Sequence, residues 1–72
     1  MNLDPTSLIK LNNTAMPYGK YRGVHLIDLP EDYVLWTCEN RLPEGALGDL
    51  FRELYDIKVN GLESMVKKFK NY

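Results

Sequence analysis

Downstream of Gly45, the apolar residues Leu47, Leu50, Phe51, Leu54 and Tyr55 recur at three- and four-residue intervals, with Asp49, Arg52, Glu53 and Asp56 mostly on the other side. This is the period of an amphipathic helix, and it is the strongest pattern in the chain. Such a helix is stable only when other segments cover its apolar face. At 72 residues, the chain is a single domain, 1–72, with one small core. Area scaling gives it roughly 4,600 Å² of folded surface against roughly 12,000 Å² extended, so only about 60% of its surface is buried. Stability on that scale is thin, which leaves both a monomer and a weak homodimer open. A hydrophobic content of 44%, with 11% aromatic residues, argues for a packed fold over a disordered tail.

The flanking segments are marked by prolines, glycines and asparagines. Asp4 and Pro5 suit a helix start, and Leu8, Ile9 and Leu11 supply an apolar face before Asn12 and Asn13 end the helix, placing it at about residues 5–12. Pro30, followed by Glu31 and Asp32 at the positive end of the dipole, opens a second helix that runs to Asn40. Tyr33, Trp36 and Thr37 share one of its faces and Leu35, Cys38 and Leu42 a neighbouring one, so this helix is expected to be largely buried. Residues 41–45 form a connector, and Gly45 and Gly48 stand where a helix starts. They suit either an anion held on free N–H groups or, more simply, an N-cap at Gly45 and a close backbone approach at Gly48. Asn60-Gly61 stops the long helix, and Leu62, Met65, Val66 and Phe69 define a last one ending in Lys67, Lys68 and Lys70.

Between the first two helices, residues 14–27 carry Gly19 and Gly23 between a short apolar segment and a β-branched one, which predicts a β-hairpin. Both glycines suit positive φ in a tight turn, Pro17 makes the first strand a short edge, and Val24, Leu26 and Ile27 face the core. The expected fold is α+β: a short N-terminal helix, a two-stranded β-hairpin, then three helices around one small core.

Nine Lys and Arg against ten Asp and Glu leave a net charge of −1, so no global field draws the chain to nucleic acid or anionic lipid, and any such contact must be local. The single cysteine, Cys38, makes no internal disulfide, no apolar run is long enough to span a membrane, and the first residues have no signal-peptide pattern; the expectation is a cytoplasmic protein. His25 and Cys38 are too few soft ligands for a zinc site, and neither a P-loop nor a dinucleotide fingerprint occurs. The pairs Glu31 with Asp32 and Glu53 with Asp56 read as solvated caps and faces, and Cys38 as a small core residue without an activating base. No catalytic residue, metal or cofactor is expected, and the chain reads as a non-enzyme.

One constellation stands out. Tyr18-Gly19-Lys20-Tyr21-Arg22-Gly23 packs two cations, two aromatics and two flexible positions into six residues. Lys20 and Arg22 suit phosphate, Tyr18 or Tyr21 a stacked base, His25 a further donor, and Tyr33 with Trp36 a platform beneath. The plain structural alternative is a solvated turn whose tyrosines pack on Trp36. Lys67, Lys68 and Lys70 would extend the basic face if the last helix lies beside the hairpin, or simply form a solvated helix end. A second functional expectation is a regulatory adaptor that meets a protein partner, or its own copy, through an apolar helix face.

Four segments together resemble a known family: Met16-Pro17-Tyr18-Gly19-Lys20-Tyr21-Arg22-Gly23, Asp28-Leu29-Pro30-Glu31-Asp32-Tyr33-Val34-Leu35-Trp36, Pro43-Glu44-Gly45-Ala46-Leu47-Gly48 and Ile57-Lys58-Val59-Asn60-Gly61-Leu62-Glu63. In order and spacing they resemble the small bacterial family of unknown function labelled "putative quorum-sensing-regulated virulence factor". That label implies no activity and no catalytic residue. Family members commonly have Phe at the Tyr18 position and Gly-Phe-Pro in place of Arg41-Leu42-Pro43. The Gly-Lys-Tyr-Arg-Gly segment followed by Leu-Pro-x-x-Tyr-x-x-Trp also resembles a small C-terminal appendage of some bacterial exonucleases. By analogy, that resemblance implies contact with nucleic acid, with Lys20 and Arg22 on phosphate and Tyr21 stacking.

Overall fold

The computed structural model describes residues 5–69, and of Phe69 the backbone alone. Asp4, Lys70 and the Phe69 side chain, each given a part above, lie outside that description. Four α-helices follow one another: α1 (Pro5–Asn13), α2 (Glu31–Asn40), α3 (Gly45–Val59) and the single turn α4 (Glu63–Val66). Short 3₁₀ turns occupy Leu26–Asp28 and Lys67–Phe69. The chain exposes 4630 Å², the surface its length predicts.

The helix ends follow from local chemistry. Asn13, Asn40 and Asn60 each turn a side-chain amide back onto the carbonyl four residues earlier, at 2.8–3.0 Å, and so satisfy groups that a helix terminus leaves open. After α3, Gly61 adopts φ 66°, while its N–H donates to the Lys58 carbonyl and the Leu62 N–H to the Ile57 carbonyl. That is a Schellman stop, with Leu62 packed on the core beside buried Ile57. A Cβ at Gly61 would meet nothing within 4 Å, so Gly61→Ala costs only backbone strain, about 1 kcal/mol. Its thermal midpoint should fall by about 4–8 °C; an unchanged midpoint would mean that the left-handed residue does not end α3.

The expected two-stranded hairpin is not formed, and among the described residues there is no strand or sheet. The fold is helical, not α+β. Residues 14–26 form a closed loop whose only pairing is an antiparallel bridge between Ala15 and His25. Pro17 has no N–H to extend a ladder. Between residues 19 and 24 the chain folds into two turns, Arg22 N–H to Gly19 O and Val24 N–H to Tyr21 O, leaving only Gly23 and Val24 to bond across the loop to Met16. Directly after His25 the chain coils into the Leu26–Asp28 turn, which buries both Leu26 and Ile27. Consecutive buried residues contradict strand alternation.

The core gathers Leu8 and Leu11 from α1, Met16 from the loop, Leu26, Ile27 and Leu29 from the 3₁₀ turn and its exit, Val34 from α2, Phe51, Leu54 and Ile57 from α3, and Val66 from α4. Helix α2 packs on α3, while α1 rests on the Leu26–Asp28 turn, on α3 and on the C-terminal turns. Helix α2 is less buried than expected, with only Val34 and Thr37 fully enclosed. Two buried polar side chains tie the layers together. Asn12 donates to the Val66 carbonyl at 2.7 Å, joining α1 to α4, and Lys58 donates to the Ile27 carbonyl at 2.9 Å, joining α3 to the exit of the loop.

Candidate functional site

The loop is clamped at its mouth and open at its tip. Met16 exchanges two backbone bonds across it, accepting from Gly23 at 2.9 Å and donating to Val24 at 2.8 Å, while Leu26 N–H reaches Thr14 O at 2.9 Å. The buried Met16 side chain anchors this mouth in the core. Gly19 and Gly23 adopt φ 80° and 90°, the positive values expected of them; Gly23 stands third in its four-residue turn, where a type II turn demands it.

The tip presents Tyr18, Lys20 and Arg22 to solvent, while His25, also exposed, stands at the mouth in the bridge to Ala15. Neither Lys20 nor Arg22 joins an ion pair among the described residues. Tyr21 is half-buried and meets the Tyr33 ring edge-on, with centroids 4.7 Å apart, and the Lys20 ammonium lies 5.5 Å from the Tyr21 centroid. Tyr21 therefore braces the loop on α2, and Tyr18 is the more exposed of the two rings. Trp36 does not lie beneath the loop; like Tyr18 it is 52% exposed. Only Tyr33 of the expected platform sits under a loop tyrosine.

Two clefts meet at Tyr33 and Trp36. One, of about 250 Å³, is lined by Met16, Tyr18, Tyr33, Trp36, Thr37 and Arg41. The other, shallower and about 350 Å³, is lined by Lys20, Tyr21, Asp32, Tyr33 and Trp36. Thr37 and Arg41 were not singled out by sequence reasoning, although Thr37 shares a helical face with Tyr33 and Trp36, and Arg41 stands one turn beyond Thr37. The Thr37 hydroxyl is buried and has no hydrogen-bond partner among the described residues.

Lys67 adds little net charge to this face. It reaches the exit of the loop but pairs there with Asp28 at 3.3 Å. On the other side of α2 a cleft of about 420 Å³ is bounded by Cys38, Glu39, Leu42, Arg52, Tyr55 and Asp56. Burial pushes the Cys38 thiol up, Glu39 and Asp56 push it further, and Arg52 opposes them, so the thiol stays protonated at neutral pH and points to the Phe51 carbonyl at 3.4 Å. This is a structural thiol. Among the described residues no three His, Cys, Asp or Glu side chains gather to hold a metal ion, and no helix is long and apolar enough to cross a membrane.

The chain is 44% identical over 69 residues to the uncharacterized protein YpeB of Escherichia coli strain K12, an alignment covering 94% of this chain and 96% of that one. The YpeB protein of Escherichia coli O157:H7 matches with the same identity and coverage. No solved structure matches the chain significantly. The family described as "Putative quorum-sensing-regulated virulence factor" matches residues 4–69, a span that takes in the loop, both clefts and all four helices. The chain belongs to that family, as the four sequence segments had indicated.

Proposed function

We propose that this protein is a cytoplasmic, non-enzymatic binding module that recognises nucleic acid through the 18–25 loop and the adjoining face of α2. The observation that carries the reading is the pairing of two exposed aromatic rings, Tyr18 and Trp36, on one cleft with Arg41, while Lys20 lines the adjoining cleft; neither cation, nor exposed Arg22 on the same loop, has an ion-pair partner among the described residues. Cations without intramolecular partners release counterions from phosphate, and exposed rings stack on bases irrespective of sequence. Among the residues lining the two clefts, Asp32 of the shallower one is the single acid that opposes them. The likeness of the loop and α2 to an exonuclease appendage supports the same reading by analogy.

The test is binding of a labelled single-stranded oligonucleotide at several salt concentrations. Lys20→Ala combined with Arg22→Ala should weaken binding about tenfold or more at low salt and reduce the salt slope by about 1.4, two contacts at about 0.7 each. Both side chains are exposed, so the thermal midpoint should not move. An unchanged affinity and slope would remove the loop from recognition. Absence of binding to every nucleic acid tried would turn the site over to a protein partner.

A further inference from the structure

We infer that the cleft between Tyr18 and Trp36 is a pocket for one unstacked nucleobase, so that the module selects single strands over paired ones; this rests on the nucleic-acid reading above. At about 250 Å³ the cleft is smaller than the roughly 300–1,000 Å³ of pockets that take drug-sized ligands, and it is the most enclosed of the three clefts. Tyr18, Tyr33 and Trp36 give it aromatic walls, buried Met16 and Thr37 lie deepest, and exposed Arg41 stands at its rim. A base offers two π-faces to such walls and a hydrogen-bonding edge to the depth.

Thr37 supplies the polar half of the match. Its hydroxyl is buried without a partner among the described residues, and a bound base edge would satisfy it. Threonine in a helix divides between two χ1 rotamers, so the hydroxyl can turn to meet a base edge, to which it can both donate and accept. Arg41 at the rim, with Lys20 across Trp36, places cations where the phosphates flanking a bound base would run. An aromatic side chain of a protein partner would fill the walls but leave these charges unanswered. The larger cleft beside Cys38 lacks this complementarity, because it presents Glu39 and Asp56 and its Arg52 is already paired with Asp49 at 3.7 Å. A base within a duplex is stacked on both faces and cannot enter without being unpaired.

Trp36 is the only tryptophan in the chain, so its fluorescence reports the pocket directly. Three probes separate the possibilities: a short oligothymidylate, an abasic oligomer of the same length and charge, and a duplex. Oligothymidylate should quench Trp36 and bind about tenfold tighter than the abasic oligomer, which should bind through phosphate without quenching, as should the duplex. If all three bind alike and Trp36 does not respond, the pocket is overturned while nucleic-acid recognition stands. Binding by none overturns both. A second variant isolates the hydroxyl: Thr37→Val keeps the shape, should raise the thermal midpoint, and should reduce the preference for oligothymidylate over the abasic oligomer. A preference identical to that of the parent would remove Thr37 from base recognition.

Discussion

Replacing Gly48 by alanine should destabilise the protein by about 2–3 kcal/mol, whereas the same change inside an exposed helix gains about 1 kcal/mol. Gly48 lies in the first turns of α3 and is buried. A Cβ there would overlap the Pro43 carbonyl oxygen and stand 3.0 Å from the Pro43 carbonyl carbon. These are backbone atoms of a residue whose φ is already fixed by its ring, so no rotamer change relieves the overlap. Either α3 shifts outward, losing contact around Phe51, or the 41–44 connector moves. Equilibrium unfolding in urea measures the effect; stability equal to or above the parent would contradict the close approach. The connector also carries Arg41, so the variant's oligonucleotide affinity should fall along with its stability.

Lys58→Ala should cost about 3 kcal/mol, combining an orphaned buried carbonyl with lost packing of the lysine stem. The Lys58 ammonium is almost fully buried, donates to the Ile27 carbonyl at 2.9 Å and faces the Glu63 carboxylate at 3.6 Å. Lys58→Met keeps most of the stem and loses only the polar contacts, so its cost should be smaller, about 2 kcal/mol. Glu63→Gln should cost less than about 1 kcal/mol, because Glu63 is about a third exposed and water screens the pair. The order Ala, then Met, then Glu63→Gln is the result to check by chemical denaturation. A Lys58→Met variant as stable as the parent would mean that the bond to Ile27 does not hold the loop exit on α3.

Both residues bear on what sequence alone could reveal. Helix α3 and its stop at Asn60-Gly61 were readable because apolar periodicity and a left-handed glycine act locally. The close approach at Gly48 was also foreseeable, since a glycine at a helix start otherwise weakens it. Lys58 and Asn12 escaped because charge and polarity argue for exposure, although Lys58 stands four residues after Leu54 and Asn12 four after Leu8, on the buried stripes. The carbonyls of Ile27 and Val66, distant in sequence, together with Glu63 beside Lys58 and the Leu8 carbonyl beside Asn12, make those burials tolerable.

The loop misled in a different way. Its glycines, its proline and the β-branched residues after Gly23 are hairpin signals, and the chain does reverse there. What decided against strands was the burial of adjacent Leu26 and Ile27, which a 3₁₀ turn can accomplish and a strand cannot. Of the candidate site, the shared face of Tyr33, Trp36 and Thr37 was visible in helical spacing. The approach of Tyr18 to that face depends on how the loop closes on α2, and no local pattern carries it. Tyr21, an equal candidate for stacking from sequence, meets Tyr33 edge-on, a contact that likewise depends on how the loop closes.

An NMR titration of the labelled protein with short single-stranded DNA and RNA, at low and moderate salt, tests recognition by this face most directly. Salt-sensitive shifts should concentrate on the amides of residues 18–25, on Arg41 and on the Trp36 indole. Silence at these positions, or shifts confined to the exposed Val59 of α3 and Met65 of α4, would contradict nucleic-acid recognition by the loop.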